Sequence, residues 1–355
     1  MASRHRTVDG LRVAIVNNQA PFVRGGAELL AEALASQLVE HGHAAEVIRL
    51  PFQWSSPDRI ARHMLAARLI QIENADHVIA LKFPAYYVEH DRKVLWLLHQ
   101  FRQAYDMFGS QFHILPETPE GAALREMVQR WDDVHLRRAR AIYTNSEVTS
   151  RRLKHFNGID STVLYPPLWD EEAYRCEEYG DFIFAGGRIS GAKRQSLLVE
   201  AMTHTRTPVR LVVAGLPDED ADAKSLEALV DRHGLRARVI LMARWIDEGE
   251  KCDLFSRALA CAYIPYDEDS YGYVTLESFT SRKAVVTTDD AGGVLTLVAD
   301  GETGLVVPPD AKALGAAFDA LYRDRATAQR LGERANERMR ELGIAWDTVI
   351  DRLLQ

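Results

Sequence analysis

Leu11-Arg12-Val13-Ala14-Ile15-Val16 is a short, nearly continuous apolar run. Such runs mark strands covered on both faces, as in a parallel sheet. A Gly25-Gly26 turn follows, then residues 27–41, where Leu30, Leu34 and Leu38 recur at helical spacing up to Gly42. Residues 43–50 read as a second strand. Strand, helix, strand is a βαβ opening, and crossovers of this kind build parallel sheets. Further strands are expected at 76–81, 94–99 and 141–145, separated by helical segments that include 119–140.

Tyr165-Pro166-Pro167-Leu168 interrupts this pattern. Adjacent prolines fix an extended segment and exclude helix, which makes this a domain boundary. A second βαβ series then runs through strands at 181–185, 209–215, 239–242, 260–264 and 284–287. Helices are expected near 195–202, 223–233, 248–256 and 273–281. The expected fold class is α/β, with two Rossmann-like doubly wound parallel-sheet domains at 1–165 and 166–344. Two such domains put a cleft between two sets of strand C-termini, where ligands bind. Residues 345–355 read as a helix that packs back on the first domain.

At 355 residues the chain is too long for one ordinary core and comfortable for two domains. Its 47% hydrophobic and 26% charged composition is globular, without low-complexity tract, heptads or solenoid repeat. No apolar stretch is long enough to span a bilayer, and residues 1–10 are polar and basic, so a soluble, cytoplasmic protein is expected. Cys176, Cys252 and Cys261 lack metal or redox spacing and read as buried thiols. The net charge of −8 is uneven, with 20 basic against 18 acidic residues through Tyr165 and 23 against 33 beyond it. Basic runs such as Arg137-Arg138-Ala139-Arg140 and Arg151-Arg152-Leu153-Lys154 read as solvated helix faces. The competing reading is a surface for an anionic acceptor or the inner leaflet of a membrane. Nothing has the footprint of a nucleic-acid binder. No Gly-x-Gly-x-x-Gly follows the first strand, which argues against a nicotinamide dehydrogenase.

The most informative stretch is Asp267-Glu268-Asp269-Ser270-Tyr271-Gly272-Tyr273-Val274-Thr275-Leu276-Glu277. It follows a strand and ends inside a helix. Asp269 and Glu277 bracket a Tyr-Gly turn whose amides can face an anion at the helix start. Upstream, Gly186-Gly187-Arg188-Ile189-Ser190-Gly191-Ala192-Lys193-Arg194 places cations after a strand, across a glycine-rich loop. Downstream lie Asp290-Ala291-Gly292-Gly293 and Asp300-Gly301-Glu302-Thr303-Gly304.

In order and spacing these features resemble the retaining glycosyltransferases of family 4 (glycosyltransferase group 1), which have the GT-B architecture. The resemblance spans nearly the whole chain. It rests on Gly25-Gly26-Ala27-Glu28, the strand-end His99, Asn145-Ser146, the Arg188/Lys193 pair and the carboxylate segment ending at Glu277. It implies metal-independent, retaining transfer of a hexose-type sugar. The donor is a UDP- or GDP-linked sugar, and the acceptor is a hydroxyl of a glycan or lipid-linked glycan. No cofactor beyond the donor is expected, no metal and no nucleic acid. A peripheral contact with the inner membrane is a further expectation.

The roles follow physical sense. Departure of a nucleoside diphosphate builds negative charge, and Arg188 offers a planar fork and Lys193 a compact ammonium to it. Glu277 is suited to accept hydrogen bonds from ribose hydroxyls; its alternative is a first-turn helix acid favoured by the dipole. The resemblance assigns Asp269, one methylene shorter than the family's glutamate, to the donor sugar, with Glu268 able to share the task. It assigns His99 likewise. The alternatives are a solvated acidic loop and a packed strand-end histidine. Gly25, Gly26, Gly187, Tyr271, Gly272, Tyr273 and Val274 complete the expected donor site, where glycine allows close backbone approach. Two departures from the family pattern stand out: Arg282 in a turn where glycine is usual, and Thr296 after Gly292-Gly293 where glutamate is common. Asp269 and Thr296 keep open a non-catalytic nucleotide-sugar-binding scaffold, and the rival within enzymes is a nucleotide-sugar epimerase on the same architecture.

Overall fold

The computed structural model describes residues 10–22, 25–54, 56–110 and 113–355. The N-terminal stretch read above as polar and basic lies outside the described residues, apart from Gly10. The chain divides into two compact units, Met1–Pro167 with Ala345–Gln355, and Leu168–Ile344. The division falls after Pro167 rather than Tyr165.

The first unit runs β1 (Arg12–Gln19), α1 (Gly26–Glu40), β2 (Ala44–Pro51), α2 (Pro57–Leu69), β3 (His77–Lys82), β4 (Lys93–His99), α3 (Pro119–Leu136), β5 (Ala141–Thr144), α4 (Glu147–Asn157) and β6 (Thr162–Val163). The strands form one parallel sheet in the order β2-β1-β3-β4-β5-β6. Alternation along β1 explains why both faces are covered: Val13 and Ile15 join α1 residues Leu30 and Leu34 on one side, while Ala14 and Val16 join Ile60 and Met64 of α2 on the other. The helix starts are written locally. Ser56, Thr118 and Ser146 each accept a hydrogen bond from a first-turn amide, and Pro57 and Pro119 open their helices. The expected helix 119–140 stops at Leu136, where the chain turns into β5.

The second unit contains β7 (Phe182–Gly186), α5 (Gln195–Ala201), β8 (Arg210–Ala214), α6 (Asp220–Arg232), β9 (Val239–Met242), α7 (Glu248–Arg257), β10 (Ala260–Ala262), α8 (Tyr273–Thr280), β11 (Val285–Thr288), β12 (Gly304–Val307), α9 (Ala311–Arg323) and α10 (Arg325–Glu341). Its parallel sheet has the order β12-β11-β10-β7-β8-β9. A further helix, α11 (Trp346–Leu354), belongs to the first unit: Val349, Ile350 and Leu353 enter the cluster of Val13, Leu38 and Trp96. Trp346 meets Trp96 edge-on at 6.3 Å between centroids.

Each sheet reverses its strand order once, between β1 and β3 in the first unit and between β7 and β10 in the second. Such switch points leave a crevice beyond the strand C-termini, the usual ligand position in open α/β sheets. No described helix is long and apolar enough to cross a membrane.

Candidate functional site

In the second unit the loop leaving β7 carries Gly187, Arg188, Lys193 and Arg194. Gly187 has φ +108 and Gly215 has φ +151, and a Cβ on Gly215 would lie 1.9 Å from the Gly187 carbonyl oxygen. The loops after β7 and β8 therefore meet backbone to backbone, which only glycine permits. Arg188 is half exposed and donates to Asp218 at 2.8 Å. Lys193 is largely buried, donates to the Tyr263 hydroxyl at 2.8 Å and pairs with Glu268. Burial works against its charge, but Glu268 and Tyr263 outweigh it, and the ammonium is held above its ordinary pKa. Burial and Glu268 push the Tyr263 hydroxyl up to about 12.

Two residues that sequence reasoning passed over organise this region. Arg194, in the left-handed region at φ +55, donates to the carbonyls of Ile264 (2.7 Å) and Pro265 (2.8 Å). It also clasps both oxygens of Asp290. Tyr263 fills the space beneath Gly272: a Cβ on Gly272, which has φ +70, would lie 2.4 Å from Tyr263 Cε1. Arg194 stands beside the assigned Lys193, the one signal that pointed to it. Tyr263 read as an apolar strand end.

The acidic loop after β10 is stitched to the loop after β11. Asp267 N donates to Asp290 O (3.0 Å), Glu268 N to Ala291 O (3.2 Å), and Gly293 N back to Glu268 O (2.8 Å). A Cβ on Gly292 would lie 2.5 Å from Glu268 O, and one on Gly293 2.6 Å from the Ser270 carbonyl carbon. The double glycine is thus a packing requirement. Glu268 is brought to Lys193, and Asp269 stands half buried on the same loop. Tyr271 is buried, and Val274 approaches the glycine loop, 3.3 Å from where a Gly187 Cβ would stand. Tyr273 opens α8, and its hydroxyl is buried with no partner among the described residues.

Glu277 corrects one alternative. It is the fifth residue of α8, in the second turn, and that helix has no acid in its first turn; the dipole is not what holds it. It is buried, and its Oε1 accepts from Tyr174 (3.0 Å) and Lys251 (2.7 Å). Neither partner was legible, because they stand 103 and 26 residues away.

In the first unit His99 ends β4, half buried, with Nδ1 2.7 Å from the Gln100 carbonyl oxygen. Gly25 caps α1 and Gly26 is its first residue. Gly25 has φ −141, so it needs no left-handed freedom. Its amide donates to Glu28 Oε2 at 2.9 Å, and Glu28 Oε1 accepts from Lys82 at 2.8 Å. This pair sits at the β1/β3 switch point. The basic runs are largely bridged within the unit: Arg138 to Glu89, Lys154 to Asp160 (2.7 Å) and Arg152 to Asp106 (3.4 Å). Among the described residues no group of three His, Cys, Asp or Glu side chains is placed to hold a metal.

Two doubly wound parallel-sheet units, each with charged loops at its switch point, are the architecture of the GT-B glycosyltransferases. Residues 172–338 match the family model of glycosyl transferases group 1. It is 29% identical over 212 residues to the alpha-maltose-1-phosphate synthase of Mycolicibacterium smegmatis, covering 56% of this chain and 54% of that protein. It is 32% identical over 178 residues to the alpha-D-kanosaminyltransferase of Streptomyces kanamyceticus, covering 47% and 44%. The chain spans about half the length of the curated relatives it matches. The sucrose-phosphate synthase of Thermosynechococcus elongatus superposes with a TM-score of 0.77 over 97% of both chains, at 17% identity. HepE of Anabaena, solved with UDP and glucose, gives 0.69 over 97% and 98%, also at 17%. These two show the fold.

Proposed function

We propose that this chain transfers a hexose-type sugar from a UDP- or GDP-linked donor to a hydroxyl of a glycan or lipid-linked glycan. Configuration is retained and no metal takes part. The observation that carries the reading is the convergence of Arg188, Lys193, Glu268 and the opening of α8 on the β7/β10 switch point, in a unit matched by the group 1 family model. Departing diphosphate oxygens meet the two cations, and Glu277 takes the ribose. Preorganised donors at a developing charge are commonly the largest catalytic contribution. Asp218 and Glu268 pair with the two cations, so a diphosphate binds in this reading by replacing carboxylates. His99, Asp269 and the Gly25-Gly26 loop contact the donor sugar or acceptor in this reading. A peripheral contact of the first unit's basic segments with an anionic membrane goes with a lipid-linked acceptor.

The related structure solved with UDP-glucose supports the donor class. The direct test is thermal stabilisation by nucleoside diphosphates and their sugars, followed by donor hydrolysis and transfer. A nucleotide that binds the folded state at about 100 times its Kd adds about 2.7 kcal/mol of stability. That shift should vanish in Arg188→Ala and Lys193→Ala. No shift with any nucleotide in well-folded wild type overturns the reading, and nucleotide binding without hydrolysis or transfer leaves the scaffold role.

A further inference from the structure

Glu277 is held from one side only. Oε1 takes two donors, Tyr174 Oη at 3.0 Å and Lys251 Nζ at 2.7 Å, while Oε2 has no protein donor among the described residues. Oε2 is not among the buried atoms left without a partner, so it stands open to solvent or to a ligand. Lys251 itself is tightly placed. It pairs with Glu248 at 2.9 Å and lies 5.1 Å and 5.8 Å from the ring centroids of Trp169 and Tyr174. Trp169 in turn packs on Tyr273, the first residue of α8, at 5.8 Å between ring centroids. The ammonium thus sits in a cage of two rings and two carboxylates that fixes α7 and residues 168–178 against the helix bearing Glu277.

We propose that Lys251 is a positioning residue for donor binding: it holds Glu277 turned so that Oε2 faces the vicinal hydroxyls of the donor's ribose. The proposal rests on the reading of the second unit as a nucleotide site. The groups facing Glu277 are Lys251, Glu248 and Cys252 on α7, Tyr174 on the preceding segment, Cys261 on β10 and Tyr273 on its own helix. Lys251 is the cation of that set; the others are acids or neutral. Removing its charge leaves the Glu277 carboxylate without its cationic partner and free to turn away from the ribose.

The experiment is titration calorimetry of UDP and GDP on wild type, Lys251→Met, Lys251→Gln and Lys251→Arg. Both neutral variants should weaken binding about tenfold. Lys251→Arg should stay within about threefold of wild type. Should Lys251→Met fail to fold, Lys251→Gln, which keeps an amide donor toward Oε1, carries the same expectation. A lowered melting temperature with wild-type affinity in the neutral variants overturns the proposal and leaves Lys251 a structural bridge. If neither nucleotide binds folded wild type, the nucleotide reading itself falls, and this proposal with it.

Discussion

Arg194 and Asp290 form a two-point clasp, Nη1 to Oδ2 at 2.8 Å and Nη2 to Oδ1 at 2.7 Å, between the loop after β7 and the loop after β11. Nε and Nη2 of the same guanidinium hold the carbonyls of Ile264 and Pro265. One side chain therefore ties three strand ends into the floor beneath Lys193. Removing one member of such a partly buried pair strands the other. Arg194→Ala should destabilise the second unit by about 2–3 kcal/mol, read by denaturant unfolding, and Arg194→Lys should recover less than half of that.

The same clasp sets a pH response. Burial alone would raise the Asp290 carboxyl, but Arg194 and Thr288 outweigh it and hold it below its ordinary range. A depressed carboxyl contributes stability above its unfolded pKa, and that stability is lost as pH falls through the folded value. Acid unfolding of the wild type should therefore steepen below about pH 4. Asp290→Asn should remove that part of the slope, and an unchanged slope contradicts the assignment.

Asp132 predicts the opposite sign in the first unit. Its carboxyl is fully buried and accepts from Tyr87 (2.7 Å), Tyr105 (2.8 Å) and Tyr86 (3.0 Å). Burial dominates over these donors and pushes it up to about 7. A raised carboxyl binds its proton more readily folded than unfolded, so its contribution is present at low pH and lost as pH rises through 7. Thermal stability of Asp132→Asn should show a weaker decline between pH 4 and pH 7 than that of wild type.

Lys193→Ala should lower turnover with saturating donor by about 100-fold or more, measured by sugar transfer. Glu268→Gln should instead tighten nucleoside diphosphate binding, since the ammonium loses its competing anion. Equal affinity in wild type and Glu268→Gln contradicts the exchange of carboxylate for diphosphate.

Arg282 stands at φ +54 with its carbonyl accepting from Tyr179 at 2.7 Å, and a Cβ on the facing Gly332 would lie 2.0 Å from that carbonyl oxygen. The backbone is fixed in the left-handed region although the residue is not glycine, at about 1–2 kcal/mol. Arg282→Gly should raise stability by about 0.5–1 kcal/mol, after the added freedom of the unfolded chain is counted. Calorimetric unfolding measures it.

The fold was legible because both sheets are built from short apolar runs at turn-punctuated intervals, as in 11–16 and 209–215. Element ends were less so: the expected strand 260–264 narrows to Ala260–Ala262. Motif residues announced themselves by glycine and charge, hence Arg188, Lys193 and Glu277. Their supports did not. Lys251 reads as a surface helix lysine and Tyr174 as a loop aromatic, and their role exists only through contacts distant in sequence. The reading of Glu277 as a first-turn acid failed by one helical turn.

Because α11 is translated after residues 168–344, the face formed by Val13, Leu38 and Trp96 waits for its cover while the whole second unit is made. At ordinary synthesis rates that interval is about 10–35 s. The sequence of the second unit is thus complete before that of the first. A nascent chain halted before Ala345 carries an amino-terminal half with an open apolar stripe, the kind of surface on which holding chaperones act.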